Sequence, residues 1–172
     1  MPESYTIVPA ALRHLRDIPK LEQAAATMFP AADLPLALRY LVTDHETLSD
    51  AQREGRLWVA VDDAGRPVGF ALAEVVDGEA YLDEVDVHPE HMRRGIGTRL
   101  INTVIGWAES HAFSTLSLIT FRHLAWNARF YERFGFVALS PRELSPSMAD
   151  ILEQEQEAGI DIANRVGMRR IL

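Results

Sequence analysis

The sequence predicts one mixed α/β domain over residues 1–172, an antiparallel meander leading into a βαβ crossover. Three observations carry this reading. Apolar runs at Leu57–Val61, Val68–Val76 and Ala80–Val87 are separated by short turn sequences, Asp62-Asp63-Ala64-Gly65-Arg66-Pro67 and Asp77-Gly78. An amphipathic helix follows at once, with Ile96, Leu100, Ile101, Val104, Ile105 and Ala108 at helical spacing. A short apolar strand, Leu116–Ile119, then returns, and such a crossover sets it parallel to Ala80–Val87.

The other elements follow in order. Tyr5–Val8 reads as a first strand. Leu12–Met28 reads as an amphipathic helix through Leu15, Ile18, Leu21, Ala24 and Ala25, with Pro19 as a marker of its first turn. Phe29–Pro35 holds two prolines and reads as a loop. Leu36–Val42 and Leu48–Glu54 are short helical segments, the second ending near Gly55. Beyond the crossover come a short helix at Ala125–Arg133 and a strand at Phe136–Leu139. A helix at Ser145–Ala158 is capped by Ser145 or Ser147, and Arg165–Ile171 alternates as a closing strand.

The segment joining strand to helix is the most informative: His88-Pro89-Glu90-His91-Met92-Arg93-Arg94-Gly95-Ile96-Gly97-Thr98. The first N–H groups of a helix have no intrahelical partner, and the dipole there favours negative charge. Gly95 and Gly97 allow the backbone close to an anion, and Arg93 and Arg94 add positive charge. The turn is suited to a phosphate or pyrophosphate. No Gly-x-x-x-x-Gly-Lys-Ser/Thr string occurs, and Leu100 stands where a dinucleotide fingerprint needs its third glycine.

Met92 to Gly97 resembles the acyl-CoA loop of the GNAT superfamily of N-acyltransferases, Gln/Arg-x-x-Gly-x-Gly/Ala, with Met92 at its first position. Phe130-Tyr131 followed by Gly135-Phe136 resembles the later motif of the same family. Where that family often carries an Asn ahead of the Tyr, this chain has Leu124, and Asn127 is the substitute polar group. The resemblance covers Leu57 to Leu139 well. It implies a central, mostly antiparallel sheet flanked by helices, with one parallel strand pair that splays to admit the pantetheine arm. It implies acetyl-CoA as cosubstrate, held by Val85, Val87, Met92, Arg93, Arg94, Gly95, Ile96, Gly97, Thr98, Asn127 and Tyr131. Residues Met28 to Glu54 then lie over the acceptor pocket.

Acyl transfer from a thioester to an amine needs a polarised carbonyl, a neutral amine and a proton for the departing thiolate. The resemblance assigns the first to backbone N–H groups near Val85 to Val87 and the last to Tyr131. Without the motif, Tyr131 would read as a core aromatic beside Phe130 and Phe134. Glu84 is the first choice as base, directly or through water, with Asp83 and Asp86 as rivals, because a bulge would change which of them faces the cleft. A solvated acidic face is the competing reading, and Glu79, Asp83, Glu84 and Asp86 together would attract a cationic amine. His88 and His91 read as surface histidines flanking Pro89, and no metal is expected. Trp58 and Trp107 read as packing residues; Trp126 has the better case for lining a cleft.

The expected activity is acetyl transfer from acetyl-CoA to a primary amine, small-molecule or peptide, by direct attack in a ternary complex. Two alternatives stay open: a non-catalytic acyl-CoA sensor, and an acyltransferase for longer acyl-CoA. With no cysteine there is no thiol nucleophile, disulfide or Cys-based zinc site. A net charge of −8 counts against general nucleic-acid binding. No apolar run reaches membrane-spanning length and the first residues lack a secretion signal, so a cytoplasmic location without membrane contact is expected. The resemblance leaves a homodimer open.

Overall fold

The computed structural model describes residues 4–172. Seven strands are hydrogen-bonded in the order β1-β2-β3-β4-β5-β7-β6: β1 is Thr6–Pro9, β2 Leu57–Val61, β3 Pro67–Val76, β4 Glu79–Val87, β5 Thr115–Phe121, β6 Val137–Ala138 and β7 Arg165–Ile171. The helices are α1 Ile18–Ala26, α2 His45–Arg53, α3 Ile96–Ser110, α4 Ala128–Glu132 and α5 Pro146–Glu157. The chain divides into two compact units. The first runs up to Glu74 and resumes over Asp83–Trp107; the second is Val75–Leu82 with Ala108–Leu172.

In the first unit, β1 pairs antiparallel with β2 (Val8↔Val59), and β2 with β3 (Val59↔Phe70, Leu57↔Leu72). Nearly every residue of β2 is buried, as its unbroken apolar run requires of a strand covered on both faces. Leu15, Ile18 and Leu21 pack with Leu48, Leu57, Val59, Phe70 and Leu72 as one core. Burying each such large side chain contributes about 1.5–3 kcal/mol. Trp58 and Trp107 are buried and meet edge-on, 5.9 Å between centroids, as packing residues. Gly69 of β3 has a specific reason to be glycine. A Cβ there would stand 2.9 Å from the Asp86 carbonyl oxygen and 3.4 Å from Val87.

The long helix expected over Leu12–Met28 is two pieces. A 3-10 turn at Leu12–His14 precedes α1, and the imidazole Nδ1 of His14 accepts the Ala11 amide at 3.0 Å. Pro19 has no N–H to donate, so the regular helix starts at Ile18 with Pro19 in its first turn. α2 starts at His45 rather than Leu48, because Asp44 caps it by accepting the Thr47 amide at 2.9 Å. Leu36–Tyr40 is a 3-10 turn after Pro35.

In the second unit, β4 and β5 are parallel through Ala80↔Leu116 and Tyr81↔Ser117. β7 runs antiparallel to β5 from Thr115↔Ile171 to Phe121↔Arg165 and carries β6 on its other edge. Ser145 caps α5, and Met148 buries that helix against Gly167 of β7. α4 is shorter than the Ala125–Arg133 expected. Asn127 has φ −109° and ψ −97°, outside the helical region, so the helix cannot extend through it. The strand expected at Phe136–Leu139 reduces to Val137–Ala138, because Phe136 turns into the core. Among the described residues, no helix is long and apolar enough to cross a membrane.

Candidate active site

The anion turn lies within the first unit. β4 ends where the His88 amide donates to Val68, and a 3-10 turn spans Pro89–His91. Arg93 (φ 60°) and Gly95 (φ 77°) then adopt left-handed backbone. The first intrahelical bond of α3 runs from the Arg99 amide to the Gly95 carbonyl, 3.1 Å. The amides of Ile96, Gly97 and Thr98 therefore precede it, at the positive end of a 15-residue helix. That is the helix N-terminus at which an anion is expected from the sequence.

The two arginines divide. Arg93 is exposed. Arg94 donates to the Tyr5 hydroxyl at 2.5 Å and to the Glu90 carbonyl at 3.3 Å, so its side chain braces the turn. The same Tyr5 hydroxyl meets His91 Nδ1 at 3.0 Å, and Arg99 donates to the Tyr5 carbonyl. Tyr5 is thus a strut beneath the anion turn. Its pairing spans most of the first unit's sequence, so no local pattern announced it.

Glu90 joins His88 and His91, and their ligating atoms lie within 4.8 Å of one another, a third group the sequence reading had not placed there. His88 Nδ1 accepts the Glu90 amide and His91 Nδ1 meets Tyr5, which accounts for the cluster as a hydrogen-bonded turn.

Two acidic residues of β4, Glu84 and Asp86, border a cavity of about 380 Å³, also within the first unit. Glu84, Asp86 and Glu22 line it, with Phe29, Leu34, Leu38, Leu41 and Thr43. Glu84 and Asp86 hydrogen-bond through their carboxyl groups. Burial first, then the charges of Asp86, Asp83 and Glu22, push Glu84 well above the usual carboxylate range. Burial likewise raises Asp86 to about 7. Two carboxyls this close cannot both ionise cheaply, so a proton stays between them into the neutral range. Asp83 is pushed to about 6 by burial and by Glu74 and Glu22, yet it is an exposed residue, and water moderates that push. Glu22 accepts the Thr43 amide at 2.7 Å and its hydroxyl at 2.5 Å; burial still lifts it above the normal range. The sequence signal for Glu22 was its place on the buried stripe of α1, one turn after Ile18.

In the second unit, Tyr131 is buried on α4, with Phe130 and Phe136 edge-on at 5.6 and 5.9 Å. Leu124, at the position where an Asn is common, is buried core. The Asn127 carbonyl accepts the amides of Phe130 and Tyr131, while its side chain makes no capping bond. Trp126 is 44% exposed. A second cavity, about 270 Å³, lies beside Tyr81, Ser117 and Arg169, and the Arg169 Nε donates to the Ser117 hydroxyl at 3.1 Å.

Residues 18–136 match the family model described as "Acetyltransferase (GNAT) family". The chain belongs to the GNAT acetyltransferase family. The [ribosomal protein bS18]-alanine N-acetyltransferase of Escherichia coli (strain K12) is 30% identical over 110 residues, 60% of this chain and 74% of that protein. A mycothiol acetyltransferase of Nocardiopsis dassonvillei is 51% identical over 49 residues, 28% of this chain but only 14% of that protein's length. Among solved structures, N-acetylglutamate synthase from Neisseria gonorrhoeae, complexed with coenzyme A and N-acetyl-glutamate, superposes with a TM-score of 0.70. It is 19% identical, and the match covers 98% of this GNAT chain and 35% of that one, a likeness of fold.

Proposed function

We propose that this GNAT protein transfers an acetyl group from acetyl-CoA to a primary amine by direct attack, both substrates being bound together. The observation that carries the proposal is the hydrogen-bonded Glu84–Asp86 pair on the strand that leads into the anion turn, lining a cavity with apolar walls. The amides of Ile96 to Thr98 receive the pyrophosphate, with Arg93 as the cation beside them. Val85 and Val87 lie on β4 where the resemblance puts the thioester, and Met92 and Asn127 remain expected CoA contacts. The carboxyl pair removes a proton from the incoming ammonium, directly or through one water. Its proton affinity near 7 suits a base working at neutral pH. The neutral nitrogen then attacks the thioester carbon; the C–N bond forms and the C–S bond breaks. Tyr131, assigned by its motif alone, gives the departing thiolate its proton. The chain has no cysteine to carry the acetyl group, which is consistent with direct attack.

The test is mass balance. Acetyl-CoA with a panel of primary amines should give acetylated amine and free CoA in equal amounts. Binding of acetyl-CoA without turnover of any amine would replace the enzyme reading with that of an acyl-CoA sensor.

A further inference from the structure

Resting on the N-acetyltransferase reading, we infer that the acceptor is an amine with an apolar body and no carboxylate on the neighbouring carbon, so that free α-amino acids are excluded. Its cationic nitrogen lies against Glu84 and Asp86, and its body lies against Phe29, Leu34, Leu38 and Leu41.

The inference comes from what the cavity wall contains. Glu22, Glu84 and Asp86 converge on one space of about 380 Å³. Among the described residues, none of the side chains lining it is Lys, Arg or His. The nearby Arg39 is committed elsewhere: it donates to the carbonyl oxygens of Phe29 and Leu34, tying down the loop that forms the apolar wall. A free α-amino acid would bring its own carboxylate into this acidic space with nothing to receive it. The pair holding a proton does not change the sign, because the wall still offers no positive charge. Like charges juxtaposed at an interface cost several kcal/mol, more than enough for tenfold discrimination. The walls in turn reward an apolar body. A space this size accepts a side chain as large as that of phenylalanine. The loop forming the wall, Phe29 to Val42, carries exposed Leu36 and Tyr40 beyond the cavity, giving a longer apolar acceptor further surface to follow. An amino-acid amide, a peptide N-terminus and an arylalkylamine share this chemistry.

The experiment compares phenylalanine, phenylalanine amide, phenethylamine and a tripeptide amide beginning with Phe, each with acetyl-CoA, by kcat/KM for CoA release. The carboxylate-free amines are expected to exceed phenylalanine by more than about tenfold. Phenethylamine is at least as basic as phenylalanine, so its preference cannot reflect amine basicity. The ratio of tripeptide to phenethylamine identifies which source of the shared chemistry is used. Glu22→Gln should narrow the discrimination against phenylalanine, since it removes one charge from the wall and little volume. Phenylalanine accepted as well as its amide would overturn the inference while leaving the acetyltransferase reading intact. If no amine releases CoA, that reading fails instead. Calorimetry of the same four compounds with the CoA-saturated protein then decides the inference: tighter binding of the carboxylate-free amines upholds it, and equal binding overturns it.

Discussion

Glu84 and Asp86, two residues apart on β4, hydrogen-bond carboxyl to carboxyl at the border of the apolar-walled cavity. Burial raises the proton affinity of both; the charge of Asp86 raises Glu84 further, while the hydrogen bond with Glu84 holds Asp86 lower than burial alone would. That arrangement is costly to the fold and useful for proton transfer.

Stability should therefore fall as pH rises through about 7. A carboxyl whose proton affinity is raised by folding binds more protons folded than unfolded, so its favourable contribution is complete below the unfolded range and is lost as pH climbs through the folded value. Glu84→Gln keeps a hydrogen bond to Asp86 and removes one buried charge. Its melting temperature at pH 8 should exceed that of the parent, with the gap closing toward pH 5. Thermal unfolding across that range checks it; parallel curves would contradict it.

Gly69→Ala should destabilise the first unit. The added Cβ would meet the Asp86 carbonyl at 2.9 Å, backbone against backbone, so neither side can yield cheaply. Overpacking of this kind costs about 1–3 kcal/mol. Urea denaturation should show the lower midpoint with unchanged slope.

Gly97→Glu should abolish acetyl-CoA binding in a folded protein, since it sets a negative charge among the amides that precede the first α3 hydrogen bond. Arg94→Ala, by contrast, should weaken binding less than Arg93→Ala, because Arg94 is spent on Tyr5 and Glu90. Calorimetry with acetyl-CoA separates the three.

Tyr131→Phe should leave stability nearly unchanged, because the ring keeps its contacts with Phe130 and Phe136. Turnover should drop by about 10²–10⁴-fold if the phenol is the acid for the thiolate. Full turnover with chemistry rate-limiting would return Tyr131 to a packing role.

Much of this was legible in the residues. β2 falls where its unbroken apolar run put it and β7 where its alternation did, because those strands are set by burial. The anion turn was legible because Gly95 must be left-handed and α3 must begin beside it. The first helix begins where Pro19 marked its first turn; its apolar period, which carries no information about a missing N–H, extended the expected helix back to Leu12. α4 was misjudged because the backbone of Asn127 breaks it, which no side-chain pattern reveals. Within the candidate site, Glu84 was legible as an acid on the strand entering the turn. Its coupling to Asp86 and Glu22 was not, because it depends on α1 approaching β4 across the fold. Tyr5 escaped for the same reason.

The most direct measurement is the pH dependence of kcat/KM for the amine, in the parent and in Glu84→Gln. The parent's acidic limb should inflect near 7, where the carboxyl pair loses a proton. In Glu84→Gln the amide still donates to Asp86 but no proton is shared between two carboxyls, so the limb should reduce to the titration of Asp86 alone and the plateau should fall because one of the two candidate bases is gone. An unchanged limb and plateau would contradict the assignment and leave the two carboxyls as structural groups of β4.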